Sequence, residues 1–402
     1  MTTVADLTAT ITSAIKTLPP PESLEYEERI QLIEALHKLR DSLESPMELL
    51  IRISHGQFPL AVARIAQAMG IFEAFIAAPS HELTISELST KAKGDDKLIS
   101  RIMRFLAAHD IFEATGPEKY KATRFVLALK QGTPLPDTLV FIHDYLPITA
   151  RLYDFLKATG YQNPEDTYNS PFQFAHNTAD HYFTWLGKHP ESQATFNAVM
   201  NAGRFFRNNW FEFYPVVENL TGGAPDDPDR ALVVDIGGNI GHELIAFRKR
   251  FPDIPGRLVL EDLPAVIDNL SGPLGPNIDA VKHNMFEPQP IKGARAYYLR
   301  TVLHDWPDKQ CLQALKHIRD AMALDSVLLV HEVLSPDTTP RSIEASNTAV
   351  LDLMMMEVFS SLERTEAQWI ELIERAGFRM NKVYKPGFDT HFSFGLFEAV
   401  AA

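Results

Sequence analysis

The sequence predicts a two-part α/β protein, with a mostly helical N-terminal part and a doubly wound parallel sheet in the C-terminal part. Residues 231–333 alternate short apolar runs with helical segments, a pattern typical of a parallel sheet with helices on both faces. The N-terminal third has helical periodicity instead. A chain of 402 residues with 45% hydrophobic content can bury two cores. We therefore expect one domain in residues 1–135 and a second in residues 136–402.

The composition of the chain limits the binding partners and the cellular compartment that we expect for it. The formal net charge of -14 argues against nucleic acid as the main partner. No run reaches the roughly 18 to 20 apolar residues that a membrane span needs, and the N-terminus lacks the layout of a signal peptide. Cys311 is the single cysteine, which excludes an intramolecular disulfide and a thiolate zinc cluster within one chain. We expect a cytoplasmic protein with no membrane partner and no bound metal.

The first helices of the chain are apolar and need a partner. A leader arm runs to Pro21, and apolar residues then recur at helical spacing over residues 26–43. A denser apolar block follows over residues 47–76, with Gly70 placed as a helix C-cap. Because these helices are too apolar to stand alone, we predict that they pair two copies of the chain in a homodimer.

A winged-helix layout follows these helices. The segment 83–88, a helix over residues 96–109 and a short hairpin around Thr115–Pro117 give that order of elements. Such modules often bind DNA, but residues 1–135 carry 15 Lys and Arg against 17 Asp and Glu, so the expected basic surface is absent. Subunit pairing is the better interpretation of this module.

Residues 136–220 are rich in aromatic side chains and mostly helical. Ordinary core packing accounts for most of these rings. A bridging layer that also lines a flat, apolar ligand pocket is the alternative, because pockets often form at domain junctions. The sequence leaves both interpretations open.

The C-terminal part is predicted element by element. Strands are expected at four apolar runs, residues 231–236, 257–260, 297–303 and 326–333. Helices are expected between and after them, at residues 243–251, 263–270 and 309–322. In such a sheet the ligand crevice lies at the carboxyl ends of the strands.

Two signals at strand ends indicate a nucleoside-type ligand. The strand ending at Asp235 runs into a turn with Gly237, Gly238 and Gly241, where backbone can approach a ligand closely. The spacing is D-x-G-G-x-x-G, which does not match the dinucleotide fingerprint. The next strand ends at Asp262, an acid that can accept hydrogen bonds from ribose hydroxyls. Capping of the helices that follow is the alternative role for both aspartates.

A third strand end, residues 283–286, supplies a polar side chain, Asn284, beside the apolar Met285 and Phe286. These side chains can sandwich an adenine ring, and ordinary packing is the alternative.

Taken together, these segments resemble class I S-adenosylmethionine (SAM)-dependent O-methyltransferases of the winged-helix-dimer type, especially their fungal secondary-metabolite branch. The resemblance covers residues 47–397 and rests on LVVDIGGNIGH, VLEDLPAVI, HNMFEPQP, AYYLRTVLHDWPD, HEVLSPD and ERTEAQWIELIERAGF. It implies a Rossmann-like SAM methyltransferase fold with SAM as cofactor. It also implies a set of residues that hold SAM: Gly237, Gly238, Gly241, Asp262, Leu263, Asn284, Met285 and Arg300.

Two positions depart from the family pattern. Asn239 stands where many members have a third glycine, and Asn284 stands where many have an aspartate near the adenine. Both changes are expected to reshape SAM binding without removing it.

His304 is the candidate general base, because it follows a predicted strand at the crevice end of the sheet. Its ordinary pKa lies about 3.5 units below that of a phenol, a proton-transfer deficit of roughly 5 kcal/mol. Carboxylates must therefore stabilise the imidazolium. The resemblance implies that Glu332 and Glu363 flank His304 for this purpose. A structural histidine is the alternative interpretation.

The resemblance also implies substrate contacts at Phe196, Met200 and Thr301. Thr301 takes a place often held by tryptophan, which predicts a pocket unlike that of the plant phenylpropanoid enzymes. We expect an O-methyltransferase acting on a hydroxyl of a small aromatic or enolic secondary metabolite.

Two rival functions remain. Some fungal relatives resembling this family act as pericyclases or dehydratases that bind SAM without consuming it. Those relatives tend to replace the histidine by Lys or Arg, whereas this chain keeps His304. His143 and Arg204 keep this rival open, because both can polarise a substrate carbonyl. A SAM-sensing scaffold dimer is the second rival, and the presence of His304, Glu332 and Glu363 counts against it.

Overall fold

A computed structural model describes residues 3–202, 208–221, 230–338, 342–387 and 392–402 of the chain. The chain divides into two compact units. The first comprises residues 1–55 with 341–343, and the second comprises residues 56–340 with 344–402.

The first unit is helical. Its helices are α1 (Val4–Thr17), α2 (Tyr26–Leu43) and α3 (Pro46–His55), with a 3-10 turn at Pro21–Ser23. Thr3 begins α1 with a capping box, in which its side chain and that of Asp6 satisfy free backbone N–H groups. None of the three helices has a buried residue. The amphipathic stripe expected over residues 26–43 is thus a helix whose apolar side chains stay accessible in a single chain.

The second unit begins with a small module that has its own core. Its elements are α4 (Gln57–Met69), α5 (Ile71–Ala77), β1 (Glu82–Thr84), α6 (Ile85–Ser89), α7 (Asp96–Ala108), β2 (Phe112–Gly116), β3 (Lys119–Ala122) and α8 (Arg124–Ala128). The three strands form an antiparallel sheet in the order β1-β3-β2. Gly70 ends α4 in the left-handed conformation, φ 79°, as a C-cap. The predicted order of helix, helix and hairpin is present.

An aromatic layer of helices follows. Its helices are α9 (Leu135–Asp144), α10 (Leu146–Ala158), α11 (Pro171–His176), α12 (Tyr182–Lys188), α13 (Pro190–Ala202) and α14 (Trp210–Phe213), with a π-helical turn at Val217–Thr221. Tyr145, Phe172 and Tyr182 of this layer pack with Met355 and Phe359 in one buried cluster.

The rest of the chain builds a seven-stranded sheet. Its elements are β4 (Ala231–Ile236), α15 (His242–Arg250), β5 (Arg257–Asp262), α16 (Pro264–Ile267), β6 (Ile278–Lys282), β7 (Ala296–Arg300), α17 (Asp308–Arg319), β8 (Val327–Val333), α18 (Ile343–Phe359), α19 (Glu366–Arg375), β9 (Phe378–Tyr384) and β10 (Phe394–Ala401). The strand order is β6-β5-β4-β7-β8-β10-β9. The first five strands are parallel, and β10 is antiparallel to both of its neighbours.

The sheet is buried on both faces. Side chains alternate along each strand, so Val234 and Tyr297 enter one core cluster whereas Val233 and Tyr298 enter the other. Strand order reverses between β4 and β7, which places the ends of these two strands at one crevice. The predicted doubly wound α/β fold is confirmed.

Three predicted elements have different bounds. The strand expected to reach Leu303 ends at Arg300, because Thr301 adopts a positive φ of 46° that a strand does not accept. The helix expected over residues 309–322 is Asp308–Arg319, and the one expected over residues 263–270 is the single turn Pro264–Ile267.

Within the described residues, no single helix is long and apolar enough to cross a membrane. The bent pair Pro46–Met69 with Ile71–Ala77 meets the criterion by length and composition, but Ile71, Phe72 and Phe75 of that pair are buried in the protein core.

Candidate active site

His304 lies in a 3-10 turn directly after β7 and is bonded to a carboxylate from a distant segment. Its Nδ1 lies 2.6 Å from Oε1 of Glu363, which follows α18. Its Nε2 lies 3.4 Å from Oδ1 of Asp305. His304 and Glu363 are both buried. Because Glu363 holds Nδ1 at the shorter distance, Nε2, which faces Asp305, is the ring nitrogen that can exchange a proton with a substrate.

The charges around His304 set its basicity. Burial by itself lowers the pKa of His304, but the charges of Glu363 and Asp305, the hydrogen bond to Glu363 and the charge of Glu332 raise it to about 10. A phenol has an ordinary pKa of about 10, so the imidazole and a phenolic acceptor are matched as base and acid. The deficit that the sequence predicted for an ordinary histidine is therefore removed by the surrounding carboxylates.

Glu332 supports the histidine through the backbone. Its side chain is fully buried at the end of β8, and Oε1 accepts hydrogen bonds from the backbone N–H groups of Val302 at 3.1 Å and Leu303 at 2.9 Å. Burial raises the pKa of Glu332 to about 7. Glu332 therefore fixes the turn that carries the imidazole, and its charge also raises the pKa of His304.

Asp305 is a site residue that sequence reasoning missed. Burial raises its pKa to about 7, with Glu363 opposing its ionisation and His304 favouring it. The only sequence signal for Asp305 is its position next to His304. Its carboxylate faces Nε2, the nitrogen that a substrate hydroxyl must reach.

The glycine turn lies at the end of β4, beside β7. Gly237 and Gly241 have positive φ values of 71° and 78°. A Cβ added at Gly238 would lie 2.5 Å from Oδ2 of Asp235, and one added at Gly237 would lie 2.8 Å from Cγ2 of Val302. The turn therefore requires glycine for its own packing as well as for the approach of a ligand.

Asp262 ties the glycine turn to the end of β5. Its Oδ2 accepts a hydrogen bond from the backbone N–H of Asn239 at 2.8 Å, and its Oδ1 accepts one from Leu263 at 2.7 Å. Leu263, the residue before α16, has no side-chain cap bond, and helix capping stays the alternative role of Asp235 and Asp262. Oδ1 of Asn239 is buried without a hydrogen-bond partner among the described residues. A polar ligand that donates to these oxygens fits this corner.

The remaining predicted SAM contacts lie near the same strand ends. Asn284 and Met285 directly follow the strand β6, and Oδ1 of Asn284 accepts a hydrogen bond from the N–H of Phe286 at 3.2 Å. Leu263 is 38% exposed, which leaves its side chain open to a ligand. Arg300 ends β7 and forms a half-buried ion pair with Glu243 of α15, so a contact to SAM needs that pair to share the guanidinium.

Of the predicted substrate contacts, Phe196 and Met200 lie in the aromatic layer, and Thr301 lies between β7 and the 3-10 turn of His304. The ring of Phe196 lies 6.0 Å from that of Phe183, which in turn lies 6.3 Å from Trp306 in the segment that carries His304. This chain of rings joins the layer to the acid-base site. Met200 is 37% exposed.

The other predicted substrate contacts are less closely tied to His304. His143 is half-exposed, with its Nδ1 3.7 Å from Asp144. Arg204 lies outside the described residues. Among the residues that the structure describes, no cluster of three or more His, Cys, Asp or Glu side chains is arranged to hold a metal ion.

Comparisons with known proteins define the class. Residues 228–379 match the family model of the O-methyltransferase domain. Methyltransferase cfoC of Aspergillus candidus is 36% identical over 95% of both chains. Demethylsterigmatocystin 6-O-methyltransferase of Aspergillus parasiticus is 34% identical over 87% of this chain and 88% of its own.

Two solved structures are also similar to this chain over nearly its whole length. The complex of LepI with SAM has a TM-score of 0.86 at 30% identity and covers 100% of both chains. A structure described as a pericyclic reaction enzyme has the same TM-score and identity, and it covers 99% of this chain and 100% of its own.

The chain belongs to the SAM-dependent O-methyltransferases, in their fungal secondary-metabolite branch. It is an enzyme with a Rossmann-like methyltransferase fold, and SAM is its cofactor. The predicted family, fold class and cofactor are confirmed.

Proposed function

We propose that the enzyme methylates a hydroxyl group of a small aromatic or enolic secondary metabolite, with His304 as the general base. The observation that carries this proposal is the 2.6 Å contact between Nδ1 of His304 and Glu363, which leaves Nε2 for the acceptor hydroxyl. The carboxylates around the ring make it a base of sufficient strength for a phenol.

In this mechanism, Nε2 of His304 removes the proton of the acceptor hydroxyl. Glu363 holds the ring through Nδ1 and stabilises the imidazolium, and Glu332 fixes the turn that carries it. The bound cofactor supplies an electrophilic methyl group on its sulfonium sulfur. The rings of Phe183, Phe196 and Trp306 exclude water and orient a flat acceptor beside the base.

We further propose that SAM is held at the ends of β4, β5, β6 and β7. Asp262 and Leu263 lie at the ribose end, and Asn284 and Met285 lie at the adenine end. The glycine turn with Gly237, Gly238 and Gly241 supports the amino-acid part, with Arg300 beside it. The fit rests on the half-buried carboxylate of Asp262 and on Oδ1 of Asn239, an acceptor that is buried without a partner among the described residues.

The proposed function is tested with isotope-labelled SAM and a panel of phenols, pyridones and tetramic acids. We expect label in a methylated product together with an equal amount of S-adenosylhomocysteine. A substrate that isomerises or dehydrates while SAM remains unconsumed overturns the proposal.

That second outcome identifies the rival function, a SAM-binding pericyclase or dehydratase. One observation favours it, the likeness of nearly the whole chain to a solved pericyclic reaction enzyme. Under that function His143 and Arg204 would polarise a substrate carbonyl. The bond from His304 to Glu363 favours methyl transfer, because an imidazole held by a carboxylate is suited to accept a proton.

The domain division at residues 135 and 136, the cytoplasmic location and the homodimer remain predictions. For the homodimer, the support is that Met47, Leu50 and Ile53 of α3 are 64%, 59% and 65% exposed. Sedimentation of the wild type is expected to give twice the chain mass, and I53E is expected to give the mass of one chain. A wild-type monomer overturns the homodimer.

A further inference from the structure

Two segments that are distant in sequence meet at the acid-base site. We call residues 303–306 the histidine turn and residues 361–364 the acid segment. Oγ of Ser361 donates a hydrogen bond to the backbone oxygen of His304 at 2.5 Å, and Glu363 contacts the ring of the same residue at 2.6 Å. His304 is thus held at both its backbone and its ring by the acid segment.

Arg364 adds a third attachment on both sides of His304. Its side chain is almost fully buried, and it donates from Nη2 to the carbonyl oxygen of Trp306 at 3.1 Å and from Nη1 to that of Leu303 at 3.4 Å. Sγ of Cys311 donates to the same two oxygens, at 3.2 Å from Leu303 and 3.3 Å from Trp306. The histidine turn is therefore fixed at its first and last carbonyl groups.

The buried guanidinium is itself well supported. Asp308 at the start of α17 accepts from Nη2 of Arg364 at 2.8 Å and from Nε at 3.2 Å. The ring of Trp369 lies 4.8 Å from Cζ on one face. A buried charge with these partners is costly to remove, because the carbonyl of Trp306 would keep only the weak thiol donor of Cys311. The carbonyl of Leu303 would keep that thiol and the backbone N–H of Trp306.

Backbone conformation explains why such support is needed. Thr301 lies two residues before the histidine turn with φ 46°, and Ser360 directly precedes the acid segment with φ 55°. Positive φ is unfavourable for both residues, and most for the β-branched Thr301. Each segment thus begins at a strained residue, and its position must be imposed by the contacts around it.

We propose that Arg364 is a positioning residue for His304: by binding the carbonyls of Leu303 and Trp306, it holds the imidazole against Glu363. This inference rests on the proposed role of His304 as the base. Arg364 does not touch the acceptor and acts only through the histidine turn.

The test compares two buried arginines that both bind backbone carbonyls. Arg364 is replaced by Lys and by Met, and Arg248 by the same residues as a control. Arg248 is also buried and donates to Ile254 O and Gly256 O, both at 2.8 Å, in the connection between α15 and β5. Any loss of thermal stability that follows simply from removing a buried guanidinium is therefore expected in both the Arg364 and the Arg248 variants.

The readout is the titration of the His304 ring nitrogens by NMR in 15N-histidine-labelled protein, with the signal assigned by its loss in H304A. Thermal unfolding and the affinity for S-adenosylhomocysteine are measured alongside. We expect R364K and R364M to move the His304 titration at least one pH unit toward the ordinary value, since the ring separates from Glu363. We expect R248K and R248M to lose thermal stability and to leave the titration unchanged.

The proposal is overturned if folded R364K titrates as the wild type does, or if the Arg248 variants shift the titration equally. If R364M does not fold, the outcome is decided on R364K and on D308N, which weakens the hold on Arg364 without removing it. Because this readout needs no turnover, it is independent of the proposed function. The His304 titration could depend on Arg364 while turnover does not need His304. That result would overturn the role of His304 as the base and leave the role of Arg364 in positioning the imidazole intact.

Discussion

The acid-base site and the cofactor end of the crevice are built differently, although β7 and β4 place them side by side. At the acid-base site, Nδ1 of His304 and the backbone N–H groups of its turn already have protein partners. At the cofactor end, Oδ1 of Asn239 is buried without a partner among the described residues. The carboxylate of Asp262 accepts hydrogen bonds from two backbone N–H groups. At the acid-base site, Oε2 of Glu332 and Oε2 of Glu363 are likewise buried without a partner among the described residues. The two ends therefore differ in their central group: Glu363 holds the imidazole of His304, whereas no group of the described residues binds the side-chain oxygen of Asn239.

The largest expected effect is that of H304A. Removal of a general base typically costs two to four orders of magnitude, so we expect kcat to fall about 10³-fold. The affinity for S-adenosylhomocysteine should stay within about twofold, because His304 belongs to the reacting end only. Turnover is measured with labelled SAM and binding by calorimetry. Loss of both together would show that the two ends do not act separately.

E363Q is expected to have a smaller effect than H304A, and part of that effect is a change in the pH dependence of kcat/KM. The carboxylate of Glu363 raises the pKa of His304 against the opposing effect of burial, so its removal lowers that pKa. His304 acts as a base only when neutral. For the wild type, we therefore expect log kcat/KM to rise with a slope of one from neutral pH toward the histidine pKa of about 10.

In E363Q the rising limb should move to lower pH, and kcat should fall about 100-fold because the imidazolium is no longer stabilised. The matched control is E398Q, which changes a buried glutamate of β10 that is bonded to Asn219 and Asn381 away from the site. An unshifted limb in E363Q would contradict the assigned base.

The third prediction concerns the cofactor end. D262N removes a charged acceptor, and a hydrogen bond to a charged group is worth enough that Kd for S-adenosylhomocysteine should rise about tenfold. The kcat at saturating SAM should change by less than about threefold. D279N, at an exposed aspartate of the neighbouring strand β6 paired with Arg257, is the control. A fall in kcat with unchanged Kd would place Asp262 at the reacting end instead.

The smallest effect is expected from N239G, which places a glycine where the family resemblance implies one. Asn239 has φ 53°, a conformation that asparagine tolerates and glycine adopts freely. Kd for S-adenosylhomocysteine should change by less than about threefold. A tenfold rise in Kd would mean that Oδ1 of Asn239 contacts the ligand directly at this end of the crevice.

Much of the fold followed from local sequence. The apolar runs that became β4, β5 and β8 are buried on both faces and were predicted within one or two residues. The antiparallel strands β9 and β10 were not predicted. β10 pairs with β8 between residues about sixty to seventy positions apart, and β9 pairs with β10. No short-range sequence pattern predicts the pairing of β10 with β8. The end of β7 was misplaced because nothing in the sequence indicates a left-handed threonine.

The sequence predicted which residues form the candidate site better than it predicted the contacts between them. His304 and Glu363 lie 59 residues apart, so their bond came from the family resemblance and not from spacing. The backbone bonds of Glu332 could not be predicted, because a glutamate in a buried strand does not reveal its partner. The ion pair of Arg300 with Glu243 was missed for the same reason.

The single cysteine has a practical consequence for labelling. Burial raises the pKa of Cys311 to about 12, and its sulfur is occupied by the carbonyls of the histidine turn. The thiolate that reacts with maleimides is therefore scarcely present at neutral pH. A cysteine introduced at an exposed position away from α3, for example L324C between α17 and β8, would be the only reactive thiol in the chain. Fluorophores or spin labels can thus be attached at one chosen position without first replacing Cys311.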